Sequence, residues 1–520
     1  MLKNNVRKVL LFLLAFVVIS MSNSGVFQLK ASAATLPTWA LGPFTRPVST
    51  PVISPNANLT FSDPMTGTTV KWAQGQTFNP ASIVVGSTMN VLFRAEDGAG
   101  VGIGSYTSRV GRATSTNGIN FTIQSTPVEY PKNDAWKKYD WKGGEEDPRV
   151  VQAENGTYYM YYTMYNRDNP VGEPVRPILG VSTSTDLVNW TKKGPVFKNY
   201  SSILNSSHKS ASVVQKVVNG KQVAAMINGK YWMYWGEDAV RVATSTDLIN
   251  WAPVMNGSSM LTIFSPRSGY FDSALTECGP PSILTNNGIV MIYNGKNSTD
   301  SSKASSLVGL GAYSCGQALF SASDPTVLLG RLPEPFFKPE LAFEKSGQYP
   351  QGTTFAEGLS LFNGKWYLYY GTADTYVGVA TAPVTNSTTY YKIKNFWTGK
   401  YLHIENNTGK VQCGDLGGDW ASAKWKLEDM GNGNYRIQNK HTNQYMHIEN
   451  NLGYVQYGTL GGDWGSAKWK LKNSTNGSIQ FNNFWKTTQY IHIENNLGYA
   501  QSSVLGGDWG TSKWILEPTN

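Results

Sequence analysis

Five segments of this chain each set a polar residue at the head of an apolar run: Asn79-Pro80-Ala81-Ser82, Asp147-Pro148-Arg149-Val150, Lys209-Ser210-Ala211-Ser212, Glu277-Cys278-Gly279-Pro280 and Glu357-Gly358-Leu359-Ser360. A second apolar run follows each opening. These runs end in Arg94-Ala95-Glu96-Asp97, Tyr165-Asn166-Arg167, Gly236-Glu237-Asp238, Asn294-Gly295-Lys296 and Thr372-Ala373-Asp374. Gathered in one pocket, the set mixes acids (Asp147, Glu237, Glu277, Glu357, Asp374, Asp97) with bases and an amide (Lys209, Arg94, Arg149, Arg167, Asn79). That density of donors and acceptors suits a polyhydroxylated ligand. Carboxylates held close and partly desolvated are driven to different pKa values, so one can serve as acid while its neighbour serves as base. Glycoside hydrolysis needs that pair. Any one of these acids taken alone reads better as a salt-bridge partner of Arg149 or Lys209. Their matched positions in five segments favour a site.

The elements that would position them repeat. A strand-and-turn signature recurs as Gly111-Arg112-Ala113-Thr114-Ser115-Thr116, Gly180-Val181-Ser182-Thr183-Ser184-Thr185, Val242-Ala243-Thr244-Ser245-Thr246 and Val379-Ala380-Thr381, with a weaker copy at Leu310-Gly311-Ala312-Tyr313. Taking Gly111, Gly180, Arg241, Gly309 and Gly378 as equivalent gives intervals of 69, 61, 68 and 69 residues. Such a period marks a modular closed fold. Five β-rich units predict a five-bladed propeller, whose innermost strands turn one polar residue per blade toward a central pocket. Proline is tolerated at a strand's first position, which fits these openings.

At 520 residues the chain is too long for one ordinary core. Aromatics at 12%, charged residues at 15% and 52 glycines, without long amphipathic helical stretches, predict an all-β protein rich in tight turns. Lys3, Arg7 and Lys8 precede the 11-residue apolar run Val9 to Ile19, and Ala31-Ser32-Ala33 supplies small residues for cleavage. That is the layout of a secretory signal peptide over 1–33. The run is short of the roughly 20 residues of a spanning helix, so the mature chain is expected to be exported, extracellular and free of the membrane. Removing Lys3, Arg7, Lys8 and Lys30 takes the formal charge from +9 to +5. No basic cluster resembles a nucleic-acid footprint. Three cysteines (Cys278, Cys315, Cys413) show no metal-ligand spacing, and no cofactor is indicated. Export permits a Cys278–Cys315 disulfide, and buried free thiols are an equal alternative. Oligomeric state is not readable.

From Tyr390 a different unit repeats three times, carrying Tyr401-Leu402-His403-Ile404-Glu405, Tyr445-Met446-His447-Ile448-Glu449 and Tyr490-Ile491-His492-Ile493-Glu494 at a period of 44 and then 45 residues. Each copy continues into Leu-Gly-Gly-Asp-Trp and closes on Lys-Trp. Units this short cannot bury a core alone, which predicts a β-trefoil over 390–520, joined to the propeller (34–384) by a linker at 385–389. Trp425, Trp469 and Trp514 read as core plugs. Trp420, Trp464 and Trp509, in glycine-rich loops, are candidate glycan contacts. His403, His447 and His492 are candidate ligands or satisfied structural histidines. This part resembles ricin-type carbohydrate-binding modules, although the usual Gln-x-Trp reads Ala423-Lys424-Trp425, Ala467-Lys468-Trp469 and Ser512-Lys513-Trp514.

Residues 40–384 resemble glycoside hydrolase family 130. The resemblance rests on Phe93-Arg94-Ala95, on Glu146-Asp147-Pro148-Arg149 followed by Tyr158-Tyr159-Met160-Tyr161-Tyr162-Thr163, on Cys278-Gly279-Pro280-Pro281, and on Phe355-Ala356-Glu357-Gly358 with Tyr369-Tyr370-Gly371-Thr372-Ala373-Asp374. It implies a five-bladed propeller that cleaves β-mannosidic bonds with inversion, using phosphate in some members and water in others. By the same resemblance Asp147 supplies the proton through a sugar hydroxyl, and Glu277 and Glu237 orient and activate water. Asn79, Arg94, Arg149 and Asp374 hold the sugar, and Lys209 and Arg167 are the residues that would bind phosphate in a phosphorylase. Export favours water, since a sugar phosphate benefits a cell only when made inside it. The expected partner is an oligo- or polysaccharide. The alternatives are a β-mannoside phosphorylase, a non-catalytic glycan-binding protein, and an arabinan or fructan propeller enzyme, whose acidic motifs are not found.

Overall fold

The computed structural model describes residues 36–100, 104–168, 176–218, 220–384, 390–430, 433–505, 507 and 509–519. The expected signal peptide (1–33) and linker (385–389) lie outside them. Every strand belongs to the compact unit Trp39–Asn520. The architecture is all-β. The α-helices among the described residues are single turns, Lys137–Asp140 and Ser201–Leu204, and no helix is long and apolar enough to cross a membrane.

Antiparallel meanders follow one another along the first part of the chain. They start with the strands Gln76–Val85, Lys142–Gln152, Ala211–Val213, Leu275–Cys278 and Phe355–Phe362. The second strands are aromatic and β-branched. Tyr158–Asn166 (YYMYYTMYN) is buried along almost its whole length, as expected of a strand covered on both faces. Third strands lay a glycine under an aromatic ring of the second: Gly111 opposite Phe93, Gly180 opposite Tyr162, Gly316 opposite Tyr293 and Gly378 opposite Tyr370. A Cβ at Gly316 would stand 2.4 Å from the Tyr293 ring, so only glycine admits this approach. The equivalent point in the fourth unit is therefore Gly316, and the expectation of Gly309 is corrected. The segment between Lys296 and Tyr313 turns back on itself around buried Asn297, whose Nδ2 donates to the carbonyls of Ser305, Val308 and Gly309, and this delays the strand.

Apolar clusters seat these meanders against one another. One cluster joins Leu92, Val110, Met160 and Tyr162, and another joins Tyr161, Val181, Met233 and Trp251. A third joins Tyr234, Val242, Met291 and Ala318, and a fourth joins Ile292, Leu319, Leu368 and Tyr370. A last one returns from Tyr369 and Val379 to Val91 and Phe93, so the final meander packs on the first. The N-terminal chain reinforces that seam, because Thr45 and Ile53 bridge to Thr381 and Val377. The first strands converge inside: Ser82 and Ser360 hydroxyls lie 2.8 Å apart, and Ser212 and Ser282 hydroxyls 2.7 Å apart.

The strands from Tyr390–Asn395 to Trp514–Thr519 form a separate twelve-stranded sheet, the C-terminal trefoil. Its core is built from repeat-equivalent triples: Ile393, Ile437 and Phe481; Leu402, Met446 and Ile491; Trp425, Trp469 and Trp514. These tryptophans are fully buried, and their indole N–H groups donate to the carbonyls of Leu402, Met446 and Ile491 at 2.8, 3.3 and 3.1 Å. Cys278, Cys315 and Cys413 are buried free thiols, so Cys278 and Cys315 do not pair.

Candidate active site

The polar openings are not strand starts. The strands begin three to five residues earlier, at Gln76 and Lys142, and their pairing shifts between Phe78 and Pro80 and between Glu146 and Arg149. Asn79 and Asp147 are the extra residues of these bulges, with φ of 46° and 52°. A bulge re-aims one side chain out of the alternation, and it turns these two inward. They line a cavity of about 330 Å³ with Arg94, Glu146, Lys209, Glu237, Glu277 and Asp374, walled by Phe78, Tyr165, Tyr313, Tyr349 and Phe355.

One side of the cavity is organised by Arg94. Its Nη1 donates to Asp147 Oδ1 at 3.2 Å, and its Nη2 donates to Glu146 Oε1 at 2.8 Å and Glu96 Oε1 at 2.7 Å. Asn79 Nδ2 donates to the same Asp147 oxygen at 2.8 Å. Burial alone would raise the Asp147 pKa, but Arg94, Lys209, Arg149 and the Asn79 hydrogen bond together hold it below the usual carboxylate range. Its neighbour Glu146 goes the other way. Burial, reinforced by Asp147 and Glu96 against the pull of Arg94, pushes it up to about 7.

The other side is organised by Lys209. Its Nζ lies 3.5 Å from Glu237 Oε1 and 3.4 Å from Glu277 Oε1, and the Ser210 hydroxyl donates to Glu277 Oε1 in a short contact. Burial would lower the Lys209 pKa, but Glu277 and Glu237 hold it well above its ordinary value. Burial and the Glu277 charge push Glu237 up to about 7 while Lys209 opposes them. Burial raises Asp374 to about 6, with Arg94 opposing. The cavity thus holds Glu146 and Glu237, which titrate near neutrality, beside Asp147, which is ionised there.

Four expected contacts lie elsewhere. Arg149 is buried among main-chain acceptors: its Nη1 donates to Asp147 O at 2.8 Å, and its Nη2 donates to Cys278 O at 3.0 Å and pairs with buried Glu357 at 2.8 Å. This pair braces the strand ends that carry Asp147 and Glu277, and neither residue lines the cavity. Asp97 pairs with buried Arg109 at 3.0 Å and accepts from the N–H of Ala99, which closes its own turn. Arg167 donates to Tyr106 O at 2.9 Å. Period alone could not separate these from cavity residues, because it gives a residue's place along a strand and not the turn of the bulge. Glu146 precedes Asp147 in the Glu146-Asp147-Pro148-Arg149 motif, where its neighbour alone carried a role. Tyr165, Tyr313 and Tyr349 carried no acid–base signal. Among the described residues no group of three or more His, Cys, Asp or Glu could hold a metal ion.

In the trefoil, His403, His447 and His492 are buried, and burial lowers their pKa values. The rings of His403 and His447 meet the edges of Trp420 and Trp464 at 6.0 and 5.6 Å, and His492 Nε2 lies 2.7 Å from the Ser503 hydroxyl. Trp420, Trp464 and Trp509 are only partly exposed.

Residues 56–389 match the family model described as beta-1,4-mannooligosaccharide phosphorylase, that of glycoside hydrolase family 130, and residues 363–459 match one described as ricin-type beta-trefoil lectin domain-like. The 1,2-beta-oligomannan phosphorylase of Thermoanaerobacter sp. (strain X514) is 32% identical over 311 residues, covering 60% of this chain and 90% of that protein. The crystal structure of a putative glycosidase from Bacteroides thetaiotaomicron VPI-5482 is 49% identical, with a TM-score of 0.65, over 68% of this chain and 99% of its own. A structure from the family of mannoside phosphorylases, described with "glycoside hydrolases that target beta-1,2 mannosidic linkages in Candida mannan", is 51% identical at a TM-score of 0.65, over 68% and 97%.

Proposed function

Because the chain belongs to glycoside hydrolase family 130 and acts on β-mannosides with it, we propose that it is an exported inverting β-mannosidase that uses water rather than phosphate, on a five-bladed propeller. The observation that carries this reading is the charge balance of the cavity. Among its described lining residues, Glu146, Asp147, Glu237, Glu277 and Asp374 face only two cations, Arg94 and Lys209. Both cations are engaged by carboxylates. A phosphate entering this site would meet like charge and no uncommitted cation, whereas a water between Glu237 and Glu277 would find two acceptors. The 51% identity to a structure described with hydrolases of β-1,2-mannosidic linkages supports that linkage for this chain.

In this mechanism Glu237 and Glu277 hold the attacking water, and Glu237 takes its proton. Asp147, aimed by its bulge and fixed by Arg94 and Asn79, orients the sugar hydroxyl through which the leaving oxygen is protonated. Asp147 rests as a carboxylate near neutrality, so the proton belongs to the Glu146–Asp147 pair, which shares Arg94 and titrates as a unit. Asn79, Arg94 and Asp374 bond the remaining hydroxyls, and the tyrosines wall the ring.

Product analysis by NMR on β-1,2-linked manno-oligosaccharides, with and without phosphate, tests this reading. The expected first product is α-mannose, at a rate that phosphate does not raise. Accumulation of mannose 1-phosphate would overturn the choice of water. A chain that binds mannosides but turns over none of a broad panel would overturn catalysis.

A further inference from the structure

The trefoil carries aromatic residues more exposed than those of its Gly-Gly-Asp-Trp loops. In the first repeat Phe396 and Trp397 are 40% and 59% exposed, and in the third Phe484 and Trp485 are 50% and 49% exposed. The same turn of the middle repeat reads Lys440-His441. All three turns are built on one scaffold. Buried Asn395 accepts from the N–H of Trp397 and Thr398 and donates to Thr511 O at 2.9 Å. Asn483 accepts from Trp485 and Lys486 N–H and donates to Ser466 O at 2.9 Å. Asn439 accepts from His441 and Thr442 N–H and donates to Ser422 O at 2.7 Å. The middle repeat makes the turn without a Phe, Tyr or Trp, so folding does not require the exposed pairs. Each pair also adjoins a loop tryptophan. Gly510, next to Trp509, packs on Trp397, whose Cβ lies 3.6 Å from where a Gly510 Cβ would stand. Gly465, next to Trp464, packs on Trp485 at 3.5 Å by the same measure.

We propose that Phe396–Trp397 and Phe484–Trp485 are two glycan platforms that stack on pyranose rings of one polysaccharide and hold the protein on it, apart from the cavity that does the chemistry. The exposed rings total on the order of 400 Å², in two patches, against roughly 800 Å² per partner in a stable protein interface. That area is too small for a protein partner and matches sugar rings. An exposed indole offers a face to the C–H side of a pyranose while the hydroxyls stay in water, and the Lys486 ammonium, 4.6 Å over the Trp485 ring, adds a hydrogen-bond donor beside that platform. Two weak platforms on one body gain avidity on a polymer that they lack on a free sugar.

The test is co-sedimentation of the full chain with insoluble mannan, with insoluble xylan and β-glucan alongside. Trp397→Ala and Trp485→Ala should each weaken retention about tenfold, the order expected for losing one aromatic stack and its avidity. The double variant should not be retained, and Lys440→Phe with His441→Trp should strengthen retention. Wild-type retention by none of these polymers, or equal retention of the double variant, would overturn the proposal. So would capture by anionic lipid vesicles, or self-association, that depends on these tryptophans while polymer retention does not. Turnover of a soluble mannobiose should be unchanged in every variant. A wild-type chain inactive on all mannosides yet retained through Trp397 and Trp485 would sink the catalytic reading and leave this one standing.

Discussion

Glu237 and Glu277 meet as an antiparallel bridge between two meanders, and one ammonium, Lys209 Nζ, lies 3.5 and 3.4 Å from their carboxylates. The two acids are not equivalent. The Glu277 side chain is 2% exposed and held by Ser210, while the Glu237 side chain is 36% exposed and opens to the cavity. In the proposed mechanism Glu237 is the one that meets water, and its pKa of about 7 suits a base working near neutrality.

A pH profile follows from this arrangement. The base must be ionised, so kcat/KM should fall as pH drops below about 7 through Glu237, and it should fall above about 7 as the Glu146–Asp147 pair loses its proton. Lys209→Met removes the charge that lowers the Glu237 pKa, which should move the acid limb to higher pH. Glu277→Gln removes a charge that raises it, which should move the limb lower. Profiles of the two variants that shift in the same direction would refute the assignment.

Asp147→Asn should cut turnover by roughly 10²–10⁴-fold, the usual worth of a positioned acid–base group. The amide keeps the shape of the bulge and can still receive the Arg94 and Asn79 hydrogen bonds through its oxygen. Folding, read by thermal melting, and retention on insoluble mannan should survive. A variant keeping most of its rate on a soluble mannoside would remove Asp147 from the mechanism.

What the sequence made legible was the rhythm. Repeated Gly/Ala/Thr/Ser signatures located the third strands, and openings such as Asp147 and Glu277 located the cavity, because each repeat must place the same residue at the same depth. The third dimension of each side chain was hidden. Asn79 and Asp147 face inward only because a bulge turns them, whereas Arg149, two residues beyond Asp147, reaches under the cavity to Glu357. The fourth repeat was misplaced from Gly316 to Gly309 because a loop closed on Asn297 precedes its strand. In the trefoil the tryptophans of the Lys-Trp closures read correctly as core, while Trp397 and Trp485 lacked the loop motif that drew attention to Trp464 and Trp509.

Trp469→Ala should destabilise the trefoil by about 3–5 kcal/mol, the range for emptying a buried tryptophan site. It also strips the Met446 carbonyl of its donor. The apolar cluster around Trp469 contains no residue before Ile393. Turnover of a soluble mannoside at low temperature should therefore persist while retention on mannan is lost. Calorimetry should show the loss as a lowered transition, and an unchanged melt would contradict the packing argument.

The last prediction concerns the strand beneath Glu146. Its neighbour Glu145 points the other way, into a buried group where Lys192 Nζ lies 2.5 Å from Glu145 Oε1 and 2.6 Å from Asp140 Oδ2, with buried Glu129 alongside. Burial raises all three carboxyl pKa values, and Lys192 opposes it. Acids whose folded pKa exceeds the unfolded value cost no stability below the unfolded pKa, and the cost grows as pH climbs from there to the folded pKa, above which it levels off. Lys192→Met removes the opposing charge, raises those pKa values further and extends the loss to higher pH. The variant should lose about 3–5 kcal/mol near neutrality, the usual effect of breaking a buried ion pair from one side. Its Tm deficit should be larger at about pH 8 than at about pH 5.5. Equal deficits at the two pH values would show that Lys192 acts by packing its chain and not by its charge.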